Sequence, residues 1–311
     1  MLRKVGEVYK RDGVEGLLRR GIAKPLERMV LFFRGGARAL VHVADRIAGE
    51  TASIGLLSCE RALLARNSVF RNRHKGQRCF VIGNGPSLKT QDLSLLAREI
   101  TFVMSGFWKH PIVKQWQPTY YVLADSVFFD GSQPMQKFFA DLHSSIHSTT
   151  FFMPLNAREV IQRVSLLPLE QTYFVAFHGS PEIGWWGRPD FARHVPGVIS
   201  VSQLAIMAAM YMGCSPIYLL GLDHDWLAHR GMDMHFYEGK TVENHPRAHG
   251  DLGQISYKLD MEAQLRLWYA YEAMQKVANA EGIRIVNATN GGFLDVFERA
   301  DYGSLFPAAS V

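Results

Sequence analysis

The sequence predicts an α/β protein with a mostly parallel sheet, helices on both faces of that sheet, and a helical N-terminal extension. Two observations predict it. From residue 77 onward, short apolar runs alternate with amphipathic segments. The runs are almost entirely apolar, as expected for parallel strands that are covered on both faces. A polar basic stretch over 71–76 precedes this pattern, so we place the domain boundary there, with an extension over 1–75 and the α/β domain over 76–311.

The N-terminal extension carries the basic character of the chain. Residues 1–38 hold ten Lys and Arg against four Asp and Glu, a net of +6, whereas the whole chain has a formal net charge of +5. Apolar residues recur at helical spacing over 14–33. Because a basic amphipathic helix is attracted to anionic lipid, we expect peripheral membrane contact through residues 1–38. A solvated extension, or an arm on a partner subunit in an oligomer, is the alternative.

The cysteines and the hydropathy of the chain indicate the cellular compartment in which the protein works. The three cysteines, Cys59, Cys79 and Cys214, are far apart and form no CxxC pair, which favours a reducing compartment. No run of about 18 apolar residues predicts a spanning helix, and no nucleic-acid-binding module is recognisable. We therefore expect a cytoplasmic protein, peripheral on the inner face of the membrane, with no nucleic-acid partner.

A glycine turn follows the first predicted strand. The apolar run 79–82 meets Gly83, Asn84 and Gly85, and Pro86 and Ser87 then open a predicted helix. Glycine permits positive φ and close approach of a ligand, and the N–H groups at a helix start favour an anion. The turn is interpreted as a nucleotide-phosphate loop, with an ordinary tight turn as the alternative.

The remaining elements follow in order. Two amphipathic stretches predict helices over 202–212 and 259–280. Polar residues stand at or just past several strand ends, and ligands of open α/β sheets bind outside the carboxyl ends of strands. We expect a shared crevice there, although any one of these residues is equally a helix N-cap. The further predicted strands are 100–104, 120–124, 150–153, 172–177, 216–221 and 283–286, and the polar residues are Asn84, Asp125, Asp223 and Asn287.

Two acidic residues after the sixth strand are candidate metal ligands. Asp223 and Asp225 have the spacing that holds a divalent cation against a diphosphate, and carboxylate oxygens suit Mg²⁺ or Mn²⁺. An N-cap aspartate with a neighbouring acid is the alternative. The full G-x-G-x-x-G fingerprint, the P-loop and the G-x-S-x-G elbow are all missing, so no organic cofactor is predicted.

A long polar segment over about 226–256 is rich in histidine and glycine. A segment of this length inside a compact domain is typical of a functional loop or of disorder. Histidine accepts a hydroxyl proton near neutral pH, so His235, beside Tyr237, is the first candidate general base and His249 the second. Irregular spacing and the lack of cysteine argue against zinc.

Two motifs resemble known families. Ile82-Gly-Asn-Gly-Pro-Ser-Leu88 resembles the opening motif of bacterial sialyltransferases that build lipooligosaccharide. The segment from Met210 to Asp223 resembles their second motif, and also a wider superfamily that contains the Maf flagellin glycosyltransferases and the archaeal 6-hydroxymethylpterin diphosphokinases. The resemblance covers roughly residues 77–300. It implies a Rossmann-like, GT-A-type domain with a lid.

The resemblance also implies roles for single residues. Gly83, Asn84 and Gly85 would bind the CMP part of CMP-sialic acid, a lid histidine would be the base, and a lid tyrosine, Tyr237, would steady the leaving phosphate. Where those families have other residues, this chain has Ser105, Asp125 and Ser202, so the nucleoside contacts differ. The predicted nucleotide-binding set is Gly83, Asn84, Gly85, Ser87, Ser105, Asp125, Ser202 and Asp223.

The activity implied is that of an inverting glycosyltransferase-like enzyme. It would transfer a sugar, CMP-activated and acidic in one version, from a nucleotide donor to a glycan or lipid-linked acceptor in cell-surface polysaccharide assembly. A Mg²⁺-dependent diphosphokinase of the pterin type is the enzymatic alternative. A non-enzymatic nucleotide-binding protein at the membrane is the other.

Overall fold

The structure is a computed structural model that describes residues 56–182, 187–229, 232, 234–237 and 256–306, with isolated positions 7, 10 and 36. The chain divides into two compact units, residues 1–47 and 48–311, and every range above lies in the second. Apart from positions 7, 10 and 36, the predicted membrane-contact segment 1–38 lies outside the described residues, and so do His249 and most of the predicted lid.

Nine parallel strands form one open sheet in the described part of the chain, in the order β6-β5-β4-β3-β2-β1-β7-β8-β9. All eight neighbouring pairs run parallel. The strands are β1 Cys79–Ile82, β2 Ile100–Met104, β3 Tyr120–Val122, β4 Thr150–Pro154, β5 Thr172–His178, β6 His194–Pro196, β7 Ile217–Leu220, β8 Ile285–Asn287 and β9 Glu298–Arg299. The predicted parallel sheet is therefore confirmed.

Five α-helices lie within the described ranges: α1 Ser58–Ala65, α2 Gln133–Ser145, α3 Arg158–Val164, α4 Val201–Tyr211 and α5 Tyr257–Ala280. The helix predicted to open at Pro86 is a short 3₁₀ turn over Pro86–Thr90, and two more such turns follow strands, at Phe107–Lys109 and Ser126–Phe129. No helix of the described part is both long enough and apolar enough to cross a membrane.

Helices cover both faces of the sheet, as the apolar strands predict. Alternate residues of a strand point to opposite faces, and β1 is buried along its whole length. Cys79 and Val81 pack in the cluster that includes α4 and α5, and Phe80 and Ile82 pack in the cluster that includes α2. The sheet is thus the middle layer of three.

Residues just before the predicted boundary at 76 also belong to this core. The ring of Phe70 is 1% exposed and contacts Tyr173 at 4.6 Å between centroids. The side-chain amide of Asn67 donates to the carbonyls of Phe174 and Phe191, both at 2.7 Å. Residues 58–74 therefore pack against one side of the sheet. The domain boundary at residue 76 stays a prediction.

The strand order reverses at β1. The chain moves outward from β1 through β2 to β6 and then returns to place β7 on the other side of β1. In open parallel sheets this reversal opens a crevice outside the carboxyl ends of the two strands, and ligands bind there. The loops that leave β1 and β7, which carry Asn84 and Asp223, meet at this point.

Candidate functional site

The glycine turn after β1 packs directly against the end of β7. Gly83 N–H donates to Leu220 O at 2.8 Å, and Gly85 N–H donates to Gly221 O at 2.9 Å. A Cβ on Gly83 would lie 2.4 Å from Gly221 O, and one on Gly85 would lie 1.6 Å from Asp223 Oδ2. Gly85 has φ −61°. The glycines are therefore needed for close contact between two chain segments, rather than for the positive φ that the sequence suggested.

The anion at the start of the 3₁₀ turn is supplied by the protein. Asp223, 7% exposed, accepts from Ser87 N–H at 3.1 Å and from Ser87 Oγ at 2.8 Å. Burial raises the pKa of Asp223, the hydrogen bonds from Ser87 oppose the rise, and Asp225 adds to it. Ser87 and Asp223 thus hold the two loops together, and the predicted phosphate position at this turn is taken by a carboxylate.

His224 is fixed in a left-handed conformation directly after Asp223. Its φ is +48°, which is uncommon for a residue other than glycine. Its Nε2 lies 2.8 Å from the hydroxyl of Tyr271 on α5, and its carbonyl accepts from Gln264 at 2.8 Å. Burial lowers the pKa of His224 to about 4. The imidazole is neutral at physiological pH and anchors the turn between Asp223 and Asp225.

Asn84 links three elements at the crevice. Its side chain, in a residue that is 8% exposed, donates to Met104 O at the end of β2 at 3.0 Å. Its carbonyl accepts from Phe236 N–H at 2.8 Å. Its Oδ1 has no hydrogen-bond partner within the described ranges. A buried acceptor left unpaired is costly, so a donor from a bound ligand would be stabilised here.

Residues 234–237 form a flap over the ends of β1 and β2. The hydrogen bond from Phe236 to Asn84 fixes its backbone. The imidazole of His235 stacks on the ring of Tyr237, with centroids 4.9 Å apart and planes within 10°. Tyr237 is 9% exposed, and a Cβ on Gly106 would lie 2.6 Å from its hydroxyl. The flap therefore brings His235 and Tyr237, two of the three predicted catalytic residues, to the ends of β1 and β2.

A lysine and a histidine that the sequence did not single out border the flap. The ammonium of Lys109 lies 4.7 Å from the centroid of the Tyr237 ring. The ring of His110 contacts Phe236 at 4.9 Å between centroids, and burial lowers the pKa of His110. Both residues lie at or just past the short turn after β2. No sequence motif marks Lys109 and His110, because they join the site only through contacts with the flap, which is distant in the chain.

Three predicted nucleotide contacts lie in different settings. Ser105 ends β2 with φ +48°, and its carbonyl accepts from Tyr121 Oη at 2.6 Å. Asp125 is exposed and caps the turn after β3 by accepting from Val127 N–H at 3.2 Å. Ser202 is 1% exposed and pairs with Tyr271 Oη at 2.6 Å. Ser105 borders the crevice beside Gly106, whereas Ser202 is enclosed behind His224.

The two candidate metal ligands face different partners. Asp223 is bound to Ser87 through both oxygens, while Asp225 Oδ2 lies 3.3 Å from His229 Nδ1. No group of three His, Cys, Asp or Glu side chains suited to a metal ion occurs among the residues that the structure describes. Metal binding by Asp223 and Asp225 stays a prediction.

Comparison with known proteins gives similarity at the level of structure. No family model and no curated protein matches the chain. A Maf glycosyltransferase from Magnetospirillum magneticum AMB-1 matches with 13% identity and a TM-score of 0.47, over 80% of this chain and 39% of that one. This chain therefore spans about two fifths of that enzyme's length.

Two sialyltransferase structures also match. CstII from Campylobacter jejuni, in complex with CMP-3FNeuAc, has 11% identity and a TM-score of 0.40, over 72% of this chain and 86% of that one. CST-II in complex with a trisaccharide acceptor and CMP has 13% identity and a TM-score of 0.42, over 72% and 85%. The two glycosyltransferase groups that the motifs resemble are thus both found; the resemblance to pterin diphosphokinases stays a prediction. At these low scores no residue role is carried over.

Proposed function

We propose that this chain is an inverting, glycosyltransferase-like enzyme that transfers a sugar from a nucleotide donor to a glycan or lipid-linked acceptor in cell-surface polysaccharide assembly. The hydrogen bond from Phe236 N–H to Asn84 O, at 2.8 Å, is the observation that carries the proposal. It joins the histidine-bearing flap to the glycine turn at the reversal of the strand order, where α/β sheets bind their ligands.

The nucleotide would lie along the carboxyl ends of β1 and β2. Asn84 offers an unpaired buried oxygen to a donor group of the ligand, and Ser105 borders the same crevice at the end of β2. Ser87 and Asp223 would contribute indirectly, because the hydrogen bonds between them fix the shape of the turn that carries Asn84. A CMP-activated acidic sugar is the donor that the motif resemblance favours.

The flap supplies the chemistry. His235 would accept the proton of the acceptor hydroxyl as its oxygen attacks the anomeric carbon, on the face opposite the departing phosphate, which inverts that carbon. Tyr237 Oη would donate a hydrogen bond to the phosphate oxygen that leaves. A positioned base contributes about 10²–10⁴-fold to the rate. Burial of Tyr237 against Gly106 keeps water from the leaving group.

Two other histidines compete for the role of base. His249 lies outside the described residues. His229 is half-exposed and has its Nδ1 beside the Asp225 carboxylate at 3.3 Å, a contact that orients the imidazole. Comparing H235A, H229A and H249A in a transfer assay identifies the base, with the exposed His143 replaced in H143A as a control. Full transfer activity in all four variants would show that none of these histidines is the base. The non-enzymatic alternative instead predicts no transfer by the natural protein, with its role in the cell intact in all four variants.

A thermal-shift panel tests the nucleotide. CMP, UDP, GDP and ATP are added to the full chain with and without Mg²⁺. A ligand at 100 times its Kd adds about 2.7 kcal/mol to the free energy of unfolding, so binding appears as a rise in Tm. We expect a rise with CMP and a smaller one in N84A, with the exposed Asn290 replaced in N290A as the control. A rise with ATP and Mg²⁺ alone would favour the diphosphokinase alternative.

A further inference from the structure

We propose that Lys109 is the cationic contact for the phosphate of the bound nucleotide, and so sets the preference of this crevice for a nucleotide over a nucleoside. The inference rests on the proposed function. Its basis is the position of the ammonium group, 4.7 Å from the centroid of the Tyr237 ring, at the point where the flap meets the loop after β2.

The Lys109 ammonium has no counter-ion in the described part of the chain. No carboxylate lies within ion-pair distance of its Nζ among the residues that the structure describes. Asp141, the carboxylate that opposes the lowering of the Lys109 pKa by burial, itself pairs with Lys137 at 3.2 Å. A partly buried charge with no opposite charge beside it is unfavourable.

The surroundings compensate that charge only in part. The faces of Tyr237 and Trp108 attract the ammonium, at 4.7 Å and 5.7 Å. Burial lowers the pKa of Lys109, and Asp141 opposes this. An anion brought into the crevice would complete the compensation, and a phosphate is the anion that a nucleotide carries.

The backbone places Lys109 with little freedom. Its N–H donates to Gly106 O at 3.0 Å in the short turn Phe107–Lys109, and Gly106 is the residue against which Tyr237 packs. Lys109, Tyr237 and His235 therefore form one contiguous group. In the proposed reaction this group provides a cation and a phenol near the departing phosphate and an imidazole for the acceptor proton. Charge stabilisation of this kind needs no metal ion at Asp223 and Asp225.

The test compares each nucleotide with its own nucleoside. Kd values for CMP and cytidine, UMP and uridine, and AMP and adenosine are measured by calorimetry on the full chain, for the natural protein, K109M, K109R and K114M. Methionine keeps the apolar stem of Lys109 without its charge, and arginine keeps the charge. Lys114 is an exposed lysine in the next turn of the same loop, so K114M is the control.

We expect K109M to weaken nucleotide binding about 10–100-fold while leaving nucleoside binding within about twofold, since hydrogen bonds to charged groups contribute about 1.5–3 kcal/mol. K109R should recover part of the loss, and K114M should resemble the natural protein. Equal weakening of nucleotide and nucleoside in K109M would show that Lys109 only supports Tyr237, and would overturn the inference alone. If the natural protein binds no nucleotide at all, the proposed function fails and the inference fails with it.

Discussion

Ser87 donates both its backbone N–H, at 3.1 Å, and its hydroxyl, at 2.8 Å, to the carboxylate of Asp223, which follows it by 136 residues in the chain. This pair connects the loop after β1 to the loop after β7. It turns the start of the 3₁₀ turn, which in other proteins is an anion site, into an internal link. The shape of the crevice therefore depends on the hydrogen bonds between Ser87 and Asp223.

Removing this link should destabilise the protein. D223A leaves two buried donors of Ser87 without their acceptor, and we expect a loss of ~2–3 kcal/mol in the free energy of unfolding, whereas S87A removes one hydrogen bond and costs ~1.5 kcal/mol. Because the two residues bind each other, the double variant should cost less than the two single losses together. Urea denaturation measures all three. Strict additivity would contradict the link.

Gly85 is expected to tolerate no side chain while Asp223 is present. In G85A the new Cβ would lie 1.6 Å from Asp223 Oδ2, so the carboxylate must leave Ser87, and overpacking of this kind costs ~1–3 kcal/mol or more. G187A is the matched control, because no described atom lies within 4 Å of a Cβ there. Thermal unfolding is the measurement. G85A should lower the free energy of unfolding by less when Asp223 is also replaced, in D223A. An unchanged loss would mean that the new methyl group clashes with Gly221 O, 2.8 Å away, rather than with Asp223.

The apolar strands could be predicted from the sequence because burial on both faces leaves one consistent signal. β1 and β2 have the predicted bounds, 79–82 and 100–104. β6 was missed, since it has three residues and includes His194 and Pro196, and β9 was missed, since it is two exposed charged residues, Glu298 and Arg299. Such edge strands are defined by their neighbours rather than by their own composition.

The candidate site was predictable in place but not in its internal contacts. Asn84 and Asp223 lie together outside the carboxyl ends of β1 and β7, as polar residues past parallel strands should, and the flap places Tyr237 beside Gly106. Asp223 accepts a hydrogen bond from Ser87, and Ser202 is enclosed with Tyr271 instead of facing the crevice. Both contacts depend on side-chain packing between segments that are distant in the chain. Lys109 was missed for the same reason. A lysine in a loop has no signal of its own until the fold places an aromatic ring beside it.

Gly106 is expected to control how the flap sits on the sheet. In G106A the new Cβ would lie 2.6 Å from Tyr237 Oη and 2.7 Å from its Cζ, so the ring must move and the Phe236 N–H should lose its bond to Asn84 O. Amide hydrogen exchange followed by NMR measures this directly. We expect exchange at Phe236 to rise at least ~10-fold while β1 and β7 keep their protection.

The control for this experiment is G187A, which adds a methyl group where no described atom lies within 4 Å. It should leave exchange at Phe236 unchanged. Slow exchange at Phe236 in G106A would mean that the flap adapts without leaving Asn84, and the contact between Gly106 and Tyr237 would then have no part in positioning the catalytic side chains.

His224 should make the stability of the protein depend on pH below neutrality. Burial lowers its pKa to about 4 in the folded state, against about 6.5 in the unfolded chain. The unfolded state therefore binds more protons between these values, so the contribution is complete above pH 6.5 and is lost as pH falls toward 4. The loss is at most ~3.5 kcal/mol, at ~1.4 kcal/mol for each pH unit between the two values.

H224N tests this contribution, because asparagine tolerates the left-handed conformation at this position. At pH 7 the variant should be less stable, since the hydrogen bond with Tyr271 Oη is altered. Its urea midpoint should fall less steeply than that of the natural protein between pH 6.5 and 4.5, because no imidazole remains to be protonated on unfolding. H143N, at an exposed histidine of α2, should keep the natural slope. Parallel slopes for H224N and the natural protein would mean that the imidazole is protonated within the fold, and that burial beside Tyr271 does not keep it neutral.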